Sequence, residues 1–152
     1  MQMTRLLELE TYGTQERRIF AKIEGDNPTG STKERFVGYR IKELERSGEL
    51  EKGTTIVEAS SGNTGIALAK VGQELGYRVI ICVADSIAEE KKKRIRNYGA
   101  ELREFDNSED PNAEINAAIE LGKEYFFFNQ IETPHNPESY YHTLGKEVVE
   151  QL

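Results

Sequence analysis

Two short stretches hold the residue types that could do chemistry. In the first, Asn27-Pro28-Thr29-Gly30-Ser31-Thr32-Lys33-Glu34-Arg35, the pattern Ser31-Thr32-Lys33-Glu34 reads as a capping box and puts Lys33 in the first turn of a helix. The positive end of a helix dipole disfavours a cationic amine, and a neutral amine is what Schiff-base chemistry needs. The other reading is a surface lysine in an electrostatically poor place, and the segment alone leaves both open. The second stretch, Ser60-Ser61-Gly62-Asn63-Thr64-Gly65, gathers hydroxyls, an amide and two glycines where a strand gives way to a helix. Backbone amides and side-chain donors meeting a helix N-terminus suit a carboxylate or phosphate. An ordinary Ser/Asn cap with glycine turns is the alternative.

Something must position these segments. Four apolar runs at nearly even intervals, residues 54–59, 78–84, 101–105 and 125–128, each read as a buried strand, and an earlier strand is expected over residues 18–24. Helix signals fill the gaps. The helix from Ser31 stops near Gly48 and carries an apolar face of Phe36, Val37, Ile41 and Leu44. A largely buried helix over residues 63–75, with Ile66, Ala67, Leu68, Ala69 and Val71, ends at Gly76. A third opens with the capping box Ser86-Ile87-Ala88-Glu89 and ends at Gly99; a fourth is signalled by Asp110-Pro111 and runs to about residue 124. The last begins near Asn136-Pro137-Glu138 and reaches the C-terminus. Strand-helix alternation of this kind predicts an α/β fold: a three-layer αβα arrangement around a mostly parallel open sheet, whose ligands lie at the carboxyl ends of the strands.

The 152 residues amount to one domain. A formal charge of −7 argues against binding a phosphate backbone, so no nucleic-acid partner is expected. No apolar stretch approaches the roughly 18 residues that span a bilayer, and residues 1–10 lack the order of a signal peptide, so no membrane association is expected. The single cysteine, Cys82, sits in an apolar run as a small buried hydrophobe, which implies a reducing, cytoplasmic location. His135 and His142 lie seven apart with no ligand cluster, so no metal site is expected. The charge run Glu89-Glu90-Lys91-Lys92-Lys93-Arg94 reads as a solvated helix face, Asp106, Glu109 and Asp110 as capping acids, and the aromatics of residues 126–128 with Tyr140 and Tyr141 as core, with a partner interface as the alternative for some of them.

Taken together, the two segments are more specific than either alone. Asn-Pro-x-Gly-Ser-x-Lys-Glu-Arg (Asn27 to Arg35) followed by Ser-Gly-Asn-Thr-Gly (Ser61 to Gly65) closely resembles the cysteine synthase (O-acetylserine sulfhydrylase) family of pyridoxal-phosphate enzymes, of the tryptophan-synthase-β fold type, fold type II. The likeness runs from Thr4 almost to Leu152 and includes Gly76 to Ile80, Lys92 to Leu102 and Asn129 to Glu138. Two departures are Ser60, where the family commonly has Thr, and Thr4-Arg5-Leu6 in place of Thr-Pro-Leu.

The resemblance implies that Lys33 bonds covalently to pyridoxal 5′-phosphate and later moves the substrate's α-proton. It implies that Asn63 hydrogen-bonds the cofactor's 3′-oxygen, and that Ser60, Ser61, Gly62, Asn63 and Thr64, with Gln130, hold the substrate's α-carboxylate. The implied chemistry is β-replacement, in which an O-activated serine loses its leaving group and sulfide adds to give L-cysteine. Family members also carry a second domain with a Gly-Thr-Gly-Gly-Thr-like loop for the cofactor phosphate, and residues 1–152 contain no substitute for it. The chain is therefore expected to be the Lys-bearing N-terminal domain of such an enzyme, weak in cofactor binding and inactive alone, with a C-terminal-half chain or a homo-oligomer as possible partner. A stand-alone binding module, a serine/threonine dehydratase and a phosphoserine sulfhydrylase are the alternatives; the segment from Asn129 to Pro137 favours a sulfhydrylase over a dehydratase.

Overall fold

The computed structural model describes residues 3–14 and 16–152; Met1, Gln2 and Gln15, part of the expected 1–152 domain, lie outside the described residues. Four parallel strands, β3 (Thr55–Ala59), β4 (Arg78–Ala84), β5 (Glu101–Phe105) and β6 (Phe126–Phe127), form one sheet in the order β5-β4-β3-β6. The short β1 (Leu6–Glu8) and β2 (Phe20–Lys22) pair antiparallel as a separate two-stranded sheet, which is where the expected strand over 18–24 falls.

Side-chain alternation along the strands explains the layers. Ile56, Val79, Ile81 and Val83 point to a core shared with Phe36, Val37, Ile41 and Leu44 of α1 (Lys33–Ser47), Ile66 and Leu68 of α2 (Asn63–Glu74) and Ile95 of α3 (Glu89–Asn97). Val57, Ile80 and Cys82 point the other way, to Ala118 of α4 (Ala113–Leu121). The result is the expected αβα sandwich. Burial pushes the Cys82 thiol up to about 11, in keeping with an inert apolar role. After β6 the chain forms α5 (His135–Tyr140) and α6 (Lys146–Gln151), which a π-helical turn at Tyr141–Gly145 joins with helical backbone at both junctions, so the expected last helix is present with a π turn inside it. Among the described residues no helix is long and apolar enough to cross a membrane.

The structure corrects several local expectations. β5 is an edge strand and only half-buried, because Arg103 and Glu101 alternate with its apolar residues and pair with each other. The Ser31 capping box does not form: α1 starts at Lys33, the Ser31 hydroxyl accepts the Lys33 amide at 3.4 Å, and Glu34 reaches back to the amide of Thr29 at 2.8 Å. The Ser86 box does not form either, with α3 starting at Glu89 after Ala88. Asp110 accepts the amide of Asn112, which delays α4 to Ala113, and that helix ends at Leu121. At the end of α1 the expectation holds: Gly48 adopts φ +79°, a left-handed cap that lets the amides of Glu49 and Leu50 return to the carbonyl of Leu44.

The charge run on α3 is solvated only in part. Lys92 is buried, donating to the carbonyl of Asp85 at 2.7 Å and to Glu104 at 2.6 Å, and Arg94 donates to the carbonyl of Thr29 at 2.8 Å. These bonds fasten α3 to β5 and to the loop that precedes Lys33. Among the aromatics, Phe128 is fully buried and meets Phe36 edge-on, whereas Tyr141 is 75% exposed and does not belong to the core.

Candidate active site

A cleft of about 380 Å³ opens at the carboxyl ends of β3 and β6, where an α/β sheet presents its loops. Its lining brings together every residue singled out from the sequence: Lys33, Ser60, Ser61, Gly62, Asn63, Thr64 and Gln130. Lys33 comes from the first turn of α1, the 60–64 loop leads into α2, and Gln130 follows β6. Segments 27 to 97 positions apart in sequence thus share one wall because β3 and β6 are neighbours and α1 packs on α2.

Local bonds hold the donor loop open. The Ser60 amide donates to the carbonyl of Cys82 at 3.1 Å, which anchors the loop to the end of β4. The Ser60 hydroxyl accepts the amide of Gly65 at 2.9 Å and that of Gly62 at 3.4 Å, so it serves as the cap of α2. The Thr64 hydroxyl donates to Oε1 of Gln130 at 2.6 Å, and Nε2 of Gln130 donates to the carbonyl of Ala59 at 3.3 Å. Ser60 and Thr64 are buried, while Ser61 and Asn63 are exposed at the mouth. The groups facing outward are therefore Ser61, Asn63 and the amides at the start of α2, together with the Lys33 amine.

Three residues near the cleft were not singled out from the sequence. Glu114 and Ile115 of α4 close its far side, with Glu114 bonded to the side-chain amide of Asn107. Glu58 lies behind it, 3% exposed, with carboxylate oxygens accepting the amides of Ala59 at 3.0 Å and Gln130 at 3.1 Å. Burial pushes its carboxyl up to about 7, and the two amide bonds and the charge of Arg40 only partly offset that. The signal for Glu58 was present, since it is an acid inside an otherwise apolar strand.

Two residues along from Lys33, Arg35 serves a different purpose. It is fully buried and its guanidinium bonds Glu24 at 2.6 and 2.9 Å, Glu147 at 2.6 and 2.8 Å, and the hydroxyl of Thr4 at 3.0 Å. Lys22 adds a 2.8 Å ion pair to Glu147. The motif arginine thus ties the N-terminal hairpin to α6. A larger cavity of about 500 Å³ adjoins this network between α1, α2 and the last helices, but it contains none of the expected site residues, and Glu34, Arg35, Glu74 and Glu147 of its lining are held in internal ion pairs. His135 and His142 flank Tyr39, the first edge-on and the second stacked, and no metal-holding cluster exists among the described residues.

Known proteins resemble this chain in sequence and in fold. The chain is 38% identical to the cysteine synthase of Staphylococcus aureus over 136 residues, covering 88% of this chain and 44% of that protein. It is 35% identical to cysteine synthase B of Escherichia coli strain K12 over 151 residues, covering 97% of this chain and 50% of that protein. Among solved structures, the O-acetylserine dependent cystathionine beta-synthase of Helicobacter pylori superposes with a TM-score of 0.88 at 34% identity, over 99% of this chain and 51% of that one. The chain spans about half the length of the relatives it matches. The model of the pyridoxal-phosphate dependent enzymes matches residues 1–152, and the chain belongs to that family.

Proposed function

We propose that this chain is the Lys-bearing part of a pyridoxal-phosphate dependent β-replacement enzyme that makes L-cysteine from an O-activated serine and sulfide, completed by a C-terminal half. The observation that carries this reading is the single cleft in which Lys33 faces the Ser60–Thr64 loop and Gln130. A free, buried Cys82 suits the reducing cytoplasm where such an enzyme would work.

The residues fit the cofactor. Lys33 supplies the amine to which it would be attached, and Asn63 stands at the mouth of the same cleft. When bound, pyridoxal phosphate supplies an electron sink for charge developing at the substrate's α-carbon. Lys33 acts as the base that takes the α-proton from that carbon and holds it. Ser61, the Gly62 and Asn63 amides and Gln130 orient the substrate through its carboxylate, helped by the positive end of α2. The cofactor phosphate finds no glycine-rich cradle in residues 1–152, so the second half supplies that grip and the chain alone binds the cofactor weakly.

The test is spectroscopic. Mixing the purified chain with pyridoxal phosphate is expected to give the visible absorbance of a lysine-bound cofactor, absent in Lys33→Ala. Identical spectra for the two proteins remove Lys33 from the role. Cysteine formation by the chain alone would overturn the need for a second half.

A further inference from the structure

We propose that Glu58 is a positioning residue for this cleft, holding Gln130 and the end of β3 from behind through both oxygens of its carboxylate. The proposal deepens the reading of the cleft as a carboxylate site and rests on it for its functional meaning.

β6 is two residues long, and its last regular bond runs from the Phe128 amide to the carbonyl of Val57 at 2.9 Å. In a parallel ladder the next bond would join the Gln130 amide to the carbonyl of Ala59. Here the chain turns at Asn129, with φ +45°, a left-handed conformation that asparagine tolerates. The two ladder partners then go to side chains. The Gln130 amide donates to Glu58, and the Ala59 carbonyl accepts from the Gln130 side chain. The second Glu58 oxygen accepts the Ala59 amide, so one carboxylate grips both strands where they separate. That grip leaves the Gln130 side chain bridging β3 to Thr64 at the start of α2, at the cleft wall.

A buried carboxylate is costly, and an amide or an apolar residue at position 58 would be cheaper to bury. What an ionised carboxylate offers is two acceptor oxygens for two amides; once protonated, one oxygen carries a hydrogen and faces an amide donor. The charged and titratable groups around it are Arg40 from α1, the Cys82 thiol from β4 and Glu132 from the loop after β6, which lines a pocket with Glu58. Arg40 donates instead to Thr133 and, at 3.2 Å, to His135, so it acts on Glu58 through its field and no hydrogen bond joins the two. With the carboxyl raised by burial to about 7, the grip on Gln130 tightens as pH rises through neutrality and slackens below it.

The experiment follows amide resonances of the isotope-labelled chain, without cofactor, from about pH 5 to about pH 9. The Ala59 and Gln130 backbone amides and the Gln130 side-chain amide are expected to titrate together with a midpoint near 7. In Glu58→Gln that shared titration disappears while the Ile66 and Leu68 amides in α2 keep their positions. In Glu58→Asp, whose shorter arm keeps the charge, a titration persists at Ala59 and weakens at Gln130. A Gln130 amide that stays still across this range in the wild type overturns the proposal, as does an unchanged titration in Glu58→Gln. If the variants fail to fold, the Glu58 carboxyl carbon of the wild type decides: a midpoint in the ordinary carboxylate range, or one not matched by Gln130, refutes the link. No cofactor enters the measurement, so loss of the Lys33 reading would leave this result standing, and the reverse.

Discussion

Glu58 and Glu147 are both shielded carboxylates, with Glu58 3% exposed and the Glu147 side chain 14% exposed, yet they sit at opposite ends of the titration range. Burial pushes both up. Glu58 meets only neutral amides at bonding distance and stays raised, at about 7. At Glu147 the Arg35 and Lys22 bonds overcome burial and hold the carboxyl at about 2. What decides between the outcomes is the charge of the donor. Hydrogen bonds from neutral amides soften a desolvation penalty, whereas a guanidinium with full bidentate geometry reverses it. The two ends of the molecule divide accordingly: the cleft holds a carboxylate that can change state near neutrality, and the Arg35 network holds charges that stay fixed while they join the N-terminal hairpin to α6.

The harshest way to break this contrast is to remove the cation. Arg35→Met leaves the largely shielded Glu24 and Glu147 beside one another with Lys22, paired to Glu147, as the one cation still bonded to either, and breaking a buried pair in this way costs about 3–5 kcal/mol. Urea unfolding at neutral pH should show that loss; a change under about 1 kcal/mol would mean the network is solvated and the contrast with Glu58 is false.

The two carboxylates also predict opposite pH dependences. Glu58 has a raised folded value, so its contribution to folding is fully present below the unfolded value near 4.5 and is lost as pH rises through about 7, because desolvating the anion costs more than its tighter bonds to the two amides return. The difference is worth about 3 kcal/mol, and Glu58→Gln should erase that slope in urea midpoints measured across the interval. Glu147 is depressed, so its contribution is present above 4.5 and is lost as pH falls toward about 2. Glu147→Gln should therefore flatten the acid side of the stability profile and leave the neutral side alone. Finding both slopes of the same sign would undo the division between the two ends of the molecule.

How much of this could be read in the sequence follows the range of the interactions. β4 and β5 fall on the expected residues because each is a short run closed by glycine or turn residues, and the apolar face of α1 follows from spacing within one helix. The cleft was legible because Lys33 and the 60–65 loop each carry a local signature and parallel-sheet topology places strand-end loops together. Helix starts were misread by about two residues, since the side chains of Ser31 and Asp110 bond inside the preceding turn, two residues on, and delay the first helical residue. The partners of Arg35, Lys92 and Glu58 were not readable, although Glu58 stood out as an acid in an apolar strand. Their partners lie 112, 12 and 72 residues away, and a charged residue in an amphipathic segment looks alike whether it is paired in the core or solvated.

The smallest predicted effect supplies the control that gives the others meaning. Arg78 and Glu101 form a 2.6 Å pair across β4 and β5, but the two side chains are 61% and 35% exposed. Geometry alone would rank this pair with Arg35–Glu147, whose distance is the same. Water sets them apart: it screens the exposed charges and solvates whichever one is left behind, so little is lost when the partner goes. Arg78→Ala should therefore cost about 0.2–1 kcal/mol in urea unfolding and fade further in added salt. Arg35→Met should keep nearly its full penalty in the same salt, because screening reaches buried charges poorly. If Arg78→Ala matched Arg35→Met, hydrogen-bond length would be the controlling variable and burial would not. The opposite shifts of Glu58 and Glu147 would then need another cause.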